Sequence, residues 1–155
     1  MISGLRQRFI MHLALPVLPE MNGLPDKGAM SALPSGAVLQ YVPAHFLHAP
    51  GNFHAYDSRS KSLFAGDLGA ALVPDDDTEF EVTDLGAHIP LMEGFHRRYL
   101  GSTQALKVGL NRVRGMDIER VCPQHGKVMS GENVGRSPDW LDSLEIGMDF
   151  KRWGN

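Results

Sequence analysis

The order of segments in this sequence predicts an α/β fold. Three strand-like runs come first, then two helical stretches, one more strand and a last helix. The chain has 155 residues, 43% of them hydrophobic and 21% charged, enough to bury one sizeable core and too apolar for disorder. A single domain spanning residues 1–155 is therefore expected.

Each element follows from local signals. Leu5, Phe9 and Leu13 would line one face of a short helix over residues 1–15, which Pro16 and Pro19 stop. Residues 16–36, rich in Pro, Gly and Met, read as an irregular connection. After the Pro34-Ser35-Gly36 turn, alternation from Val38 to Val42 predicts a strand. Asn52–Tyr56 and Ser62–Ala65 form a β-hairpin about the turn Asp57-Ser58-Arg59-Ser60, ending at Gly66-Asp67. The run Asp75-Asp76-Asp77 reads as a solvated loop. From Pro90 to Val113, apolar residues recur at helical spacing (Leu91, Phe95, Tyr99, then Leu106, Leu110, Val113). Gly101 breaks the run and Ser102 caps a second helix. Arg120–Cys122 is a buried strand, and Pro138–Ile146 a last helix closed by Gly147.

Composition narrows the function. A net charge of −3 without a long basic run argues against a nucleic-acid partner. No stretch approaches the eighteen or so apolar residues of a membrane span. The apolar part of Met1–Leu18 is short and interrupted by His12 and Pro16, which does not suit a secretory leader. The single cysteine, Cys122, cannot form an internal disulfide and fits a cytoplasmic protein.

Seven histidines invite a search for a metal site. His12, His88 and His96 lie in or beside helical segments, and structural or surface roles suit them. His45 and His54 carry no further signal on their own. Three other residues sit where strands give way to tight turns: His48 before Ala49-Pro50-Gly51-Asn52, Asp67 between Gly66 and Gly69, and His125 between Pro123 and Gly126. Loops at strand ends build sites on a rigid sheet. Two imidazoles and a carboxylate suit iron, zinc or manganese, and a carboxylate can bridge two ions.

The surroundings of these residues resemble a known family. His48-Ala49-Pro50-Gly51, followed by Phe64-Ala65-Gly66-Asp67, looks like the middle of a metallo-β-lactamase fold. Three segments are similar to the oxygen-binding di-iron proteins and the related flavodiiron proteins of that fold. They are Pro43-Ala44-His45-Phe46-Leu47-His48-Ala49-Pro50-Gly51-Asn52-Phe53, Met92-Glu93-Gly94-Phe95-His96-Arg97-Arg98-Tyr99, and Val121-Cys122-Pro123-Gln124-His125-Gly126. The resemblance extends from about Leu5 to Phe150.

The resemblance implies roles. His48 would be the terminal histidine of one ion, Asp67 the carboxylate bridging both, and His125 the terminal histidine of the other. His45 and His54 match no ligand position, and His96 lies in a family motif without a metal role. Two iron ions, or alternatively zinc, are the implied cofactors, and dioxygen the implied ligand. Family members bind or sense dioxygen, some beside chemotaxis receptors, whereas flavodiiron members reduce O2 or NO with FMN in an appended flavodoxin domain. That domain is missing from this sequence, so binding or sensing is expected over sustained catalysis. As an enzyme, the chain would by this resemblance be an O2- or NO-reducing oxidoreductase of the flavodiiron type rather than a hydrolase.

One departure stands out. The family carries an upstream cluster, His-x-Glu-x-Asp in di-iron members and His-x-His-x-Asp-His in zinc hydrolases, and this sequence has neither. The expected fold is accordingly the C-terminal half of a metallo-β-lactamase αββα sandwich, an N-terminally incomplete domain with three of the usual six ligands. A homo-oligomer or a partner chain supplying the missing half is expected, because the uncovered sheet face would be apolar. A zinc-dependent hydrolase and a truncated remnant with a structural role are the alternatives. A smaller departure is Ser137-Pro138, where the family continues an apolar helix.

Overall fold

The computed structural model describes residues 2–3 and 22–147. Among them, chain order gives strands β1 (Ile2–Ser3), β2 (Gly23–Leu24), β3 (Ala29–Ala32), β4 (Val38–Pro43), β5 (Phe53–Asp57) and β6 (Ser62–Gly66). Helices α1 (Leu85–Tyr99) and α2 (Thr103–Val113) follow, then β7 (Arg120–Pro123), β8 (Met129–Ser130) and α3 (Asn133–Asp142). β1 and β2 make a small parallel pair, and β3 to β8 form one six-stranded sheet in sequence order. The expected α/β class and its partial αββα architecture are present: a mixed sheet with helices against it.

The first four strands of the sheet are an antiparallel meander, which short turns permit. β6 and β7 pair in parallel, and α1 and α2 form the long crossover that such a pair requires. Strand alternation then separates two rows of side chains. Tyr56, Leu63, Val121 and Met129 are cross-strand neighbours and all are buried. They join Met92, Leu106, Leu110, Val113 and Leu141 of the helices in one apolar core. The adjacent row, Tyr41, Ala55, Phe64 and Cys122, lies on the other side of the pleat. There none is fully buried, and Phe64 is exposed in the middle of the sheet.

The helices begin earlier than Pro90 and Pro138 suggest. Asp84 caps α1 by accepting from the Gly86 and Ala87 amides, and Pro90 sits inside the helix. α3 starts at Asn133 and runs through Pro138. Each proline removes one hydrogen bond to the carbonyl four residues back. Burial outweighs that loss: Leu85, His88, Met92 and His96 make the buried stripe of α1, and Asn133, Ser137 and Leu141 that of α3. Asn133 Nδ2 also donates to Val82 O at 2.8 Å. Ser102 caps α2 as expected, accepting from Ala105 N.

Other expectations meet the structure unevenly. The helix over residues 1–15 falls outside the described residues except at Ile2–Ser3, which are strand. Within the connection expected over 16–36, β2 and β3 appear, and β3 pairs with β4 across a turn where Gly36 takes φ 80°. Of the acidic run, Asp75 and Asp76 are exposed, but Asp77 makes an ion pair with the buried Lys127 at 2.7 Å.

Burial fixes the charge state of His54. Its Nδ1–H donates to Ala65 O at 3.0 Å, and desolvation lowers its pKa from 6.5 to about 4. A histidine kept neutral by folding stabilises fully above its unfolded pKa and loses that contribution as pH falls toward the folded value. Metal-free protein should therefore lose stability between pH 6.5 and about 4. The His54 share is on the order of 3 kcal/mol. Burial also lowers the pKa values of His88 and His96, with the same sign. Urea unfolding across this range should show a shallower pH slope for His54→Gln than for wild type. An unchanged slope would mean that His54 is not held neutral in the fold.

Candidate metal centre

The sheet topology decides where the candidate residues meet. β4, β6 and β7 run in the same direction, so the loops that follow them open at one edge. Asp67 directly follows β6, and His125 lies two residues beyond β7. His48 does not end a strand, as its sequence context suggests; it lies in the β4–β5 loop, five residues beyond Pro43.

Backbone hydrogen bonds bind these loops to one another. Gln124 N–H donates to Gly66 O at 2.7 Å, and Ala71 N–H to His125 O at 3.2 Å. Gly126 takes φ 98°, and a Cβ there would lie 2.9 Å from Ala71 Cβ and 3.0 Å from its nitrogen. Only glycine lets the two loops close so tightly. The His48 loop is closed by Asn52 Nδ2 donating to Leu47 O at 2.6 Å. It is also anchored to the α1–α2 junction, where Gly101 N–H donates to Phe46 O at 2.9 Å. Leu47, fully buried, packs directly against Gly109 of α2, which has no room for a side chain.

The three side chains converge. His48 Nε2 lies 4.0 Å from Asp67 Oδ2, and His125 Nε2 lies 3.9 Å from Asp67 Oδ1. Each carboxylate oxygen thus faces a different imidazole. Asp67 is the deep member at 18% side-chain exposure, with His48 at 41% and His125 at 62% forming the rim. Among the described residues no three histidine, cysteine or acidic side chains surround a single point closely enough to hold one ion. The arrangement places two imidazoles one on each oxygen of a single carboxylate. Imidazole and carboxylate ligands bind a zinc-sized ion at about 2.0–2.2 Å. Two such bonds meeting at one ion reach at most about 4.0–4.4 Å, so gaps of 4.0 and 3.9 Å leave each pair within reach of an ion after a small side-chain rotation.

Helix α1 supplies the wall. Phe95 and Tyr99 stack on each other at 4.9 Å, and the His48 ring lies 6.1 Å from Phe95 and 5.6 Å from Tyr99. Their four-residue spacing is visible in the sequence as helical periodicity, but their contact with His48 is not. His96, one position on, is fully buried; its Nε2 accepts from Gly69 N–H at 2.9 Å and its Nδ1–H donates to Met92 O at 2.8 Å. Burial lowers its pKa, opposed by the Met92 hydrogen bond and the charge of Asp67. The remaining described histidines stay apart from this carboxylate and its two imidazoles. His45 Nε2 bonds Asp26 O, His54 bonds Ala65 O, and His88 is buried in α1. His12 lies outside the described residues.

Comparison with known proteins places this architecture. The chemotaxis sensor ODP from T. denticola, in its apo state, superposes with a TM-score of 0.88 at 40% identity, over 97% of this chain and 61% of that one. A structure of the chemotaxis sensor ODP with a peroxy diiron species gives a TM-score of 0.85, also at 40% identity, over 97% of this chain and 62% of that one. This chain therefore spans about three-fifths of the sensor's length. Rubredoxin oxygen:oxidoreductase from Desulfovibrio gigas shares the fold at 15% identity, with a TM-score of 0.79 over 91% of this chain and 36% of that one. No curated protein matches the sequence. The family model for the ODP family beta lactamase matches residues 1–126, a span that includes all three converging side chains. The chain belongs to the ODP beta lactamase family.

Proposed function

We propose that this chain is a dioxygen-binding di-iron module that senses rather than turns over its ligand, with His48, Asp67 and His125 as its contribution to the metal centre. One observation carries the reading: the two oxygens of Asp67 face two different imidazoles, at 4.0 and 3.9 Å. A single-ion hydrolytic site would gather its ligands around one point, and this arrangement divides them. The 40% identity with the ODP sensor over 97% of the chain supports iron over zinc.

Asp67 would bind both ions, His48 the one beneath α1, and His125 the one at the rim. Two iron(II) ions, when bound, supply open coordination positions and electrons for dioxygen. The protein supplies orientation and shelter. Phe95 and Tyr99 border one side of His48. Gly66 and Gly126 keep the Asp67 and His125 loops closed against each other. His125, more than half exposed, leaves the other side open to a small ligand.

The same reading assigns the rest of the coordination sphere to groups beyond the described residues. The row Tyr41, Ala55, Phe64 and Cys122 would be the face on which they are carried, brought by a second copy or by a partner chain. Cytoplasmic location fits a lone, partly buried Cys122, and no described helix is long and apolar enough to cross a membrane.

Metal analysis of protein purified without oxygen should find iron bound in pairs, with a new charge-transfer absorption on exposure to air. Stoichiometric zinc with esterase activity would overturn the assignment. Asp67→Ala should lose both ions together, whereas His48→Ala and His125→Ala should each weaken chiefly one; full metal content in Asp67→Ala would remove it as the bridge. In size-exclusion chromatography with light scattering, the chain should run as a dimer or larger assembly, and Phe64→Lys should shift it toward monomer. A compact, stable wild-type monomer would count against a covered face.

A further inference from the structure

Three observations about α1 go beyond the ligand set. First, among the described histidines His96 is the one with both ring nitrogens hydrogen-bonded. Both partners are backbone groups, whose roles cannot change: an N–H at Gly69 must donate and a carbonyl at Met92 must accept. The ring is thereby held as the tautomer protonated at Nδ1, with the Nε2 lone pair committed to Gly69. Second, Gly69 takes φ 91° and has Met129 Cε at 2.6 Å from the place of a Cβ. The turn is pinned by His96 through its amide and confined by Met129 around its Cα. Third, Ala70 N–H donates to Asp67 O at 3.1 Å and Leu68 N–H to Ala65 O at 3.2 Å, so residues 65–70 form one connected set of turns. A group that fixes Gly69 fixes the frame from which the Asp67 side chain projects.

The same turn of α1 carries Phe95, which borders His48, and Trp140 meets the His96 ring edge-on at 5.9 Å. One helix therefore sets the positions of two ligand loops that sequence places nineteen residues apart.

We propose that His96 is a positioning residue for the metal centre: by accepting the Gly69 amide proton at Nε2 it sets the direction of the Asp67 carboxylate toward His48 and His125. The inference rests on the metal reading given above. It assigns His96 no contact with metal or dioxygen; it acts through the loop. An apolar filler in its place would leave the Gly69 amide buried and unpaired, which the loop would relieve by shifting.

The test uses the full chain and Co(II), whose absorption reports the ligand field, with three proteins: wild type, His96→Gln and His96→Leu. Glutamine can place a carbonyl oxygen near the Nε2 position, and leucine offers no acceptor. Removing outer hydrogen bonds to metal ligands typically costs about 10–100-fold in affinity. His96→Leu should weaken Co(II) binding by that factor and alter the spectrum, while His96→Gln stays near wild type. In metal-free protein, hydrogen exchange at the Gly69 amide should quicken in His96→Leu, with the amides of Leu63 and Val121 unchanged. If His96→Leu does not fold, His96→Met, a more adaptable filler, carries the same expectation. Equal losses in the glutamine and apolar variants would overturn the inference, because the acceptor would then not be what matters. Wild-type affinity in the apolar variant overturns it alone. A wild-type chain that takes up no Co(II) sinks the metal reading and this inference with it.

Discussion

The parallel pairing of β6 with β7 is the constraint on which the rest depends. Its register, Leu63 beside Val121 and Phe64 beside Cys122, brings the ends of both strands to one edge of the sheet. Neither Asp67 nor His125 could reach the other from any antiparallel arrangement of these two strands, since their exits would then lie at opposite edges. The pairing also obliges the intervening chain to cross back over the sheet, and that crossing is α1 and α2. The helices that complete the topology thus bury one face of the sheet and also wall the site.

The division of labour between the two sheet faces follows. Helices saturate the face of Tyr56, Leu63, Val121 and Met129, so the core formed by the described residues lies on that side. Among the described residues, no helix lies on the face of Tyr41, Ala55, Phe64 and Cys122. An aromatic ring left half in water on a central strand is unfavourable by the usual area argument, about 25 cal/mol per Å² of apolar surface. Coverage by further protein would turn that cost into an attraction. The chain spans about three-fifths of the ODP sensor's length.

Much of this was legible in the sequence where local signals and tertiary demands agree. Val38–Val42, the hairpin about Asp57–Ser60, the Ser102 cap and the strand before Pro123 each announce themselves through alternation or turn chemistry. The edges of α1 and α3 were not legible, because Pro90 and Pro138 look like helix starts while buried stripes extend each helix in front of them. β3, with the sequence Ala29-Met30-Ser31-Ala32, has weak strand propensity and exists through its pairing with β4. His48, Asp67 and His125 stand out through motifs that carry a family resemblance; their spacing alone is compatible with unrelated turns. The tie between His96 and Gly69 spans twenty-seven residues and joins a side chain to a backbone amide, so no residue pattern could reveal it.

The two halves of the centre also differ in how far apart the chain holds their parts. His48 and Asp67 belong to one continuous meander, closed by short turns, and contacts of that kind form quickly. His125 is brought to Asp67 only after fifty-eight further residues have folded into two helices and a parallel strand, and the loop-closure entropy of that step must be met first. The shared carboxylate is therefore where a short-range contact meets a long-range one, and both lean on the crossover helices through Gly101 and His96.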